Sequence, residues 1–239
     1  MKGWQKLIAT AGDLGSPIAQ GAKILDFGCG NGDTVHALRM NGFDAHGCDF
    51  HFKPGENVER LNREGLLATI EPVPYRLPYK DSTFDFILSQ QVFEHVQNYG
   101  ETFSEIHRVL KVGAMGLHVF PSRYRPIESH VFVPFASIIQ NYWWLRLWAQ
   151  LGVRNPSQVG MDARQVAKLN YDYLTNNTNY LSERRISKLL DLCFDEHGFC
   201  EKQAARYTRL VNQKWILGLP FLSILLKNYT RVMYMRRGN

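Results

Sequence analysis

Three glycines at alternate positions, Gly28, Gly30 and Gly32, follow directly on Lys23-Ile24-Leu25-Asp26-Phe27. Glycine at that spacing lets the backbone turn sharply and come close to a bound molecule, because no Cβ blocks the approach. Thr34 to Met40 then read as a helix, whose free N–H groups and positive dipole end favour an anionic group. Asp26 puts a carboxylate beside the same crevice. Donors on one side and a carboxylate on the other suit a ligand that carries both a carboxylate and an ammonium group. Two phosphate-binding alternatives fail on residue identity. The dinucleotide fingerprint G-x-G-x-x-G needs glycine where Asp33 stands, and the chain has no Gly-Lys-Ser or Gly-Lys-Thr for a P-loop. Asp49 lies about 20 residues beyond the glycines, where an acid at a strand end can accept hydrogen bonds from both ribose hydroxyls.

Three histidines are candidate general bases, since imidazole titrates near pH ~6.5. His95 sits in Ser89-Gln90-Gln91-Val92-Phe93-Glu94-His95-Val96, His118 near the end of an apolar segment, and His130 in a proline-bounded stretch. If the first of these segments turns as a helix, Gln91, Glu94 and His95 share one face. A purely structural, hydrogen-bonded role is the alternative for His95.

The elements that must position these groups follow the apolar pattern. Trp4 to Ala11 suggest a helix on the sheet edge. Lys23 to Phe27, Phe43 to Cys48, Leu66 to Ile70, Phe84 to Ser89 and Ala114 to Phe120 read as five successive strands. Helices are expected over Thr34–Met40, over Pro54–Glu64 with proline in the first turn, and over Glu101–Leu110. Ser182 is the expected N-cap of a further helix, and Gly198-Phe199 begin another strand. Strands alternating with helices argue for an α/β class with ligands at the carboxyl ends of the strands.

Composition sets the outer bounds. At 239 residues, 45 % hydrophobic and 21 % charged, the chain can bury a core and fits one domain. Its four cysteines form no C-x-x-C pair, which argues against a zinc ribbon or a disulfide framework and for a reducing, cytoplasmic setting. No apolar leader follows Met1. The net charge of +6 permits contact with nucleic acid or anionic lipid without demanding either.

Ile24-Leu25-Asp26-Phe27-Gly28-Cys29-Gly30-Asn31-Gly32 resembles the first motif of class I S-adenosylmethionine (SAM)-dependent methyltransferases. Leu77-Pro78-Tyr79-Lys80-Asp81-Ser82-Thr83-Phe84-Asp85 resembles the L-P-[FY]-x-[DE]-x-[ST]-F-D segment of their small-molecule, type 11-like members. Arg108-Val109-Leu110-Lys111-Val112-Gly113 resembles their R-V-L-K-P-G-G turn, with Val112 in place of proline. The resemblance covers about residues 20 to 122, with the motifs in the family's order. It implies a Rossmann-like, doubly wound, mainly parallel seven-stranded sheet in a three-layer αβα arrangement. It also implies a single domain over 1–239: a SAM-binding core at 20–122, a helical lid inserted after strand 5 at 123–180, and a C-terminal region at 181–239 ending in an apolar helical tail. SAM is the implied cofactor. Its implied contacts are Asp26, Gly28, Cys29, Gly30, Asp49, Phe50 and Gln90, with the adenine read by backbone near Pro74 or by Glu71, because Val73 stands where the family usually has an acid. Quinone-precursor and RNA-end methyltransferases hold a divalent cation with E-x-x-E-H; here Gln91 replaces the first Glu, so no metal is expected.

The implied reaction is methyl transfer to a small-molecule O- or N-nucleophile, with His95, His130 or His118 as the base for a hydroxyl acceptor. An RNA or protein methyltransferase is one alternative, disfavoured by the lack of an appended nucleic-acid module. A non-catalytic SAM-fold interaction protein is the other. Asn141-Tyr142-Trp143-Trp144-Leu145-Arg146-Leu147-Trp148 can wall an apolar pocket or pack lid helices on the sheet. The apolar run Trp215 to Leu226, edged by Lys214, Lys227, Arg231, Arg236 and Arg237, is too short to span a bilayer. It is expected to meet a membrane surface or to dock on its own domain or a second subunit.

Overall fold

A computed structural model describes residues 1–208 and 220–238. In chain order it forms α1 (Gly3–Asp13), β1 (Lys23–Phe27), α2 (Asp33–Met40), β2 (Asp44–Asp49), α3 (Glu56–Arg63) and β3 (Leu67–Thr69). A short hairpin, β4 (Glu71–Pro72) and β5 (Tyr75–Arg76), precedes β6 (Phe84–Gln90), α4 (Tyr99–Val109) and β7 (Leu110–Pro121). Then come α5 (Tyr142–Gln150), α6 (Ala163–Asn177), α7 (Glu183–Leu190), β8 (Glu196–Phe199), α8 (Glu201–Ala205), α9 (Pro220–Tyr229) and β9 (Thr230–Arg236).

Seven strands make one sheet in the order β3-β2-β1-β6-β7-β9-β8; β9 is antiparallel to both of its neighbours and the other pairings are parallel. This is the doubly wound αβα arrangement expected from the motifs. The order reverses between β1 and β6, and a crevice opens there beyond the strand ends.

Strand alternation builds two cores. Leu25, Phe27 and Ile87 face α4 and α7, together with Phe93, Phe103 and Met233. Ile24, Phe86, Leu88 and Leu117 face the other way, against Trp4, Val35 and Leu38 of α1 and α2. Asp85 is structural: it accepts the N–H of Lys23 at 2.9 Å and the ammonium of Lys111 at 2.7 Å, joining β6 to β1 and β7.

Several expectations need correction. Helix α1 does not lie at the sheet edge; it packs over β6 and β7 and against α8. Pro54 falls before α3, which starts at Glu56 behind Gly55. Ser182 holds the N-cap position of α7, but its hydroxyl makes no cap hydrogen bond. The larger change concerns the C-terminus. Residues 215–219 of the apolar run lie outside the described residues, and 220–226 belong to α9. The chain then does not end as a helical tail, because residues 230–236 enter the sheet interior as β9, with Met233 and Met235 fully buried.

Three of the expected flanking cations are consequently held by the protein itself. Arg231 pairs with Glu201 at 2.6 Å and Glu183 at 3.0 Å, and stacks over the Phe199 ring. Arg236 pairs with Glu196 at 3.1 Å, and Arg237 donates to the Leu110 carbonyl at 2.6 Å. Among the described residues, no helix is long and apolar enough to cross a membrane.

The stretch between β7 and α7 folds as a separate layer. Leu145, Ala167 and Leu174 of α5 and α6 bury against Val131, Val133 and Ala136. Asn141 caps α5, and Asp162 caps α6 through a capping box with Gln165. The aromatic run takes its packing alternative: Trp144 donates its indole N–H to the Pro134 carbonyl at 2.8 Å and meets Trp148 edge-on, and no residue of α5 lines the cavity described next.

Candidate active site

The loop from β1 to α2 carries Gly28, Gly30 and Gly32 at φ of 76°, 54° and 75°, a region where a side chain is strained. At Gly28 a Cβ would also run into Val92. Gly30 is the open position, with its N–H donated to Asp49 Oδ2 at 2.8 Å. That bond fixes the carboxylate at the tip of β2 against the glycine loop.

These groups form one end of a cavity of about 700 Å³. Gly28, Gly30, Asp49, Phe50 and Lys53 line one side; Ile70, Pro72 and Tyr75 a second; Gln90, Gln91, Val92 and His95 a third. Tyr173 of α6 completes the lining. Phe50 and Tyr75 stand with ring centroids 6.1 Å apart, offering aromatic surface to a base. Gln90 ends β6, and its side-chain amide abuts Gly3 at the start of α1.

Asp26 lies behind the loop, 3 % exposed, and among the described residues no N–H or O–H donates to its carboxylate. Burial, reinforced by the nearby Asp49 charge, pushes its pKa up to about 7. Asp26 is not among the residues that line the cavity.

Two other expected cofactor contacts sit elsewhere. Cys29 is buried in the core, and a Cβ on Gly47 would press on its sulfur; its N–H is donated to the Cys48 carbonyl. Pro74 lies exposed at the hairpin turn, and the cavity wall there is made by Pro72 and Tyr75 instead. Glu71 is likewise exposed and outside the lining.

The three histidines separate. His118 is fully buried in β7, its Nδ1 bonded to the Ser89 hydroxyl at 2.8 Å, and burial pulls its pKa down to about 3. It is sealed from the cavity and neutral. His95 lines the cavity and gives its Nδ1 proton to the Asn177 carbonyl at 2.6 Å. Burial lowers its pKa, and that hydrogen bond works in the opposite sense. His130 stands beside it, ring centroids 5.0 Å apart, with Nδ1 on Glu128 Oε1 at 2.7 Å.

The helical-face reading of the His95 segment does not hold. Gln91 takes φ of 59° and leaves the strand, and only Phe93–His95 turn, as a single 3₁₀ turn. Glu94 therefore points inward and is fully buried. Tyr173, which lines the cavity, and Asn177, whose carbonyl holds His95, carry no motif; only the fold brings them here.

Residues 25–117 match a family described as "Methyltransferase domain". Demethylmenaquinone methyltransferase of Staphylococcus aureus is 31 % identical over 123 residues, 48 % of this chain and 47 % of that protein. Norajmaline N-methyltransferase of Rauvolfia serpentina is 31 % identical over 103 residues, 41 % of this chain and 35 % of that protein. The chain thus spans less than half the length of these curated relatives. Among solved structures, an S-adenosylmethionine-dependent methyltransferase from Mesorhizobium loti superposes with a TM-score of 0.56 at 15 % identity, covering 98 % of this chain and 97 % of that one. A geranyl diphosphate methyltransferase in complex with SAM does so with a TM-score of 0.52 at 15 % identity, over 98 % and 84 % of the two chains. Likeness at that identity speaks for the fold, and the family match, glycine loop and strand-end carboxylate speak for the cofactor. Residues 25–117 are thus similar to a methyltransferase domain, on a chain that shares its fold with solved SAM-dependent methyltransferases.

Proposed function

We propose that this protein transfers the methyl group of SAM to a small-molecule acceptor, with oxygen as the favoured nucleophile. The observation that carries the reading is one continuous cavity of about 700 Å³, with Gly28, Gly30 and Asp49 at one end and His95 and Tyr173 at the other. That volume lies in the upper half of the ~300–1,000 Å³ range of small-molecule sites. It leaves room for an acceptor beside a nucleoside-sized cofactor.

In this reading Asp49 accepts the ribose hydroxyls, Asp26 faces the ammonium, and the start of α2 faces the carboxylate. Phe50 and Tyr75 flank the adenine. The methyl carbon is then directed towards His95. The protein's main contribution is alignment and exclusion of water, which together lower barriers by as much as about 7–11 kcal/mol in well-oriented systems.

His95 is the preferred base. Its Nδ1 proton is committed to a carbonyl, so Nε2 keeps its lone pair. His118 has no route to an acceptor. The mixed polar and aromatic lining suits a hydroxylated acceptor with an apolar body, in line with the relatives whose names include demethylmenaquinone and sterol methyltransferases.

Calorimetric titration with S-adenosylhomocysteine, followed by mass spectrometry of hydroxylated acceptors incubated with methyl-labelled SAM, tests the proposal. One cofactor per chain and a product heavier by the labelled methyl are expected. Cofactor binding without product across phenolic, amine and carboxylate acceptors would reduce the chain to a binding protein. Absence of cofactor binding would remove the reading altogether.

A further inference from the structure

We infer that the loop from Tyr124 to Ile138, with α9 beside it, forms a basic-edged apolar surface that seats the protein on an anionic lipid bilayer. The surface itself does not rest on the methyl-transfer reading.

Phe132 and Phe135 carry the inference. Both take φ in the left-handed region, 59° and 54°, where a bulky side chain is strained. Glycine or asparagine adopts that backbone far more readily. Both rings are nonetheless turned to solvent, 44 % and 48 % exposed. Two separate penalties, one of backbone and one of exposed apolar surface, thus fall on the same two positions. Strain of this kind persists where the surroundings over-determine it, and it clusters at segments that clamp a ligand.

The loop is built to hold that conformation. The buried Glu128 carboxylate accepts the Tyr180 hydroxyl at 2.6 Å and the N–H groups of His130 and Val131 at 2.7 and 2.8 Å. The Phe132 N–H is donated to the Glu128 carbonyl at 3.0 Å, and the Glu128 N–H to the Val133 carbonyl at 3.1 Å. The Phe135 N–H reaches the Pro126 carbonyl at 2.9 Å, and Ile138 is exposed one turn later. Val131, Val133 and Ala136 alternate with these residues and are buried in the lid core. A fixed scaffold therefore presents the rings.

Helix α9 adjoins this loop at its end. The Ser122 N–H is donated to the Tyr229 carbonyl at 3.3 Å, and the Arg125 guanidinium lies 5.0 Å from the Tyr229 ring centroid. Ile224, Leu225 and Lys227 of α9 are exposed.

Charge selects the occupant. From Pro121 to Met161 the sequence has four arginines and one acid, and that acid is the buried Glu128. After Glu201 it has eight Lys and Arg and no Asp or Glu. Aromatic and aliphatic side chains edged by cations, with no exposed carboxylate among them, match the boundary between acyl chains and anionic headgroups. A second copy of the chain would instead set those cations against their own kind. Contact is with one leaflet, because a loop and a helix of 10 residues do not reach across a bilayer.

The same loop serves the cavity. Its His130 ring stands 5.0 Å from that of His95 at the acceptor end. An acceptor with an apolar body would then pass from bilayer to cavity with little exposure to water; this step alone rests on the methyl-transfer reading.

The test mixes the whole chain with vesicles of phosphatidylcholine, with and without phosphatidylglycerol, and measures co-sedimentation against salt. Binding that needs phosphatidylglycerol and weakens with added salt is expected. Phe132→Asn combined with Phe135→Asn should weaken it about 10-fold or more. The melting temperature of that variant should hold or rise, because asparagine tolerates left-handed backbone. A merely structural role for the two rings predicts the reverse. Lys227→Glu should weaken vesicle binding about 10-fold. Met40→Ser removes an exposed apolar side chain near the amino ends of the strands, whereas the loop follows the carboxyl end of β7; it should bind like the parent. A parent protein that ignores the phosphatidylglycerol vesicles, or a folded double variant that binds them equally well, overturns the surface. So does a chain that dimerises through the two phenylalanines, or binds RNA, without binding vesicles. S-adenosylhomocysteine titration of every variant judges the cofactor reading separately. Vesicle binding without cofactor binding would keep the surface and sink the methyl-transfer reading.

Discussion

Asp49 is held in place before any ligand arrives, because the N–H of Gly30 is donated to one of its oxygens. Its value to a ribose lies in the lone pairs that remain. Replacing it with alanine removes acceptors for two hydroxyls and frees the loop, at about 1.5–3 kcal/mol for each charge-assisted bond. We expect Asp49→Ala to weaken S-adenosylhomocysteine at least 100-fold and Asp49→Asn to fall between the two, as read by calorimetry. A loss under threefold for the alanine variant would place the ribose elsewhere. Asp49 and the glycines could be found in the sequence because a strand, a turn and a strand end fix their separation locally. Pro74 and Cys29 could not be judged in that way. Which residue of a hairpin faces a cavity, and whether a loop side chain turns into the core, depend on packing against distant residues such as Gly47. Glu94, His95 and His130 meet only because β7 runs between them and Glu128 and Tyr180 fix the returning loop.

At the scale of elements, the β1–α2 turn works because it abuts the segment leaving β6. Gly28 combines φ of 76° with Val92 where a Cβ would stand. Gly28→Ala should therefore lose both cofactor affinity and stability, with about 1–3 kcal/mol from the backbone alone. Adding Val92→Ala removes the collision and leaves the backbone term. The double variant is expected to recover part of the melting temperature lost by Gly28→Ala, but not all of it. Full recovery would mean that steric contact, not conformation, demands the glycine. Periodicity located α1 to α4, α7 and the strands β1, β2, β3, β6 and β7, since each has a clear apolar face. It missed β9, whose Arg231 and Arg236 look like a solvated basic end until Glu201, Glu183 and Glu196 are placed beside them. It also took the residues after β6 as one helical turn, because the positive φ at Gln91 leaves no mark in an apolar pattern.

Over the whole molecule, two buried carboxylates contribute a pH dependence of stability opposite in sense to ordinary acid unfolding. Asp26 and Glu94 both have folded pKa values near 7, raised chiefly by burial, against ordinary values of 3.8 and 4.5. Between about pH 4.5 and 7 these two carboxylates hold more protons in the folded chain than in the unfolded one, so their contribution to stability falls as pH rises through that window. Glu128 does not disturb it: burial would raise its pKa, but hydrogen bonds from His130, Tyr180 and Val131 hold it at about 2, so its contribution is constant above pH ~4.5. An ammonium beside Asp26 favours the charged carboxylate and cancels its share of the decline. His118, with its pKa of about 3, and the other histidines lowered by burial contribute in the opposite sense. The carboxylate share is therefore read as a difference: between pH 5.5 and pH 7.5 the free parent should lose more melting temperature, or gain less, than Asp26→Asn. Stabilisation by saturating S-adenosylhomocysteine should be larger at pH 7.5 by about 2 kcal/mol, read as a larger gain in melting temperature. Asp26→Asn, which cannot ionise, should make the ligand's gain equal at the two pH values. Thermal unfolding at the two pH values, with and without ligand, reads all four numbers. An equal gain at both pH values would show that the ligand's ammonium does not sit against Asp26.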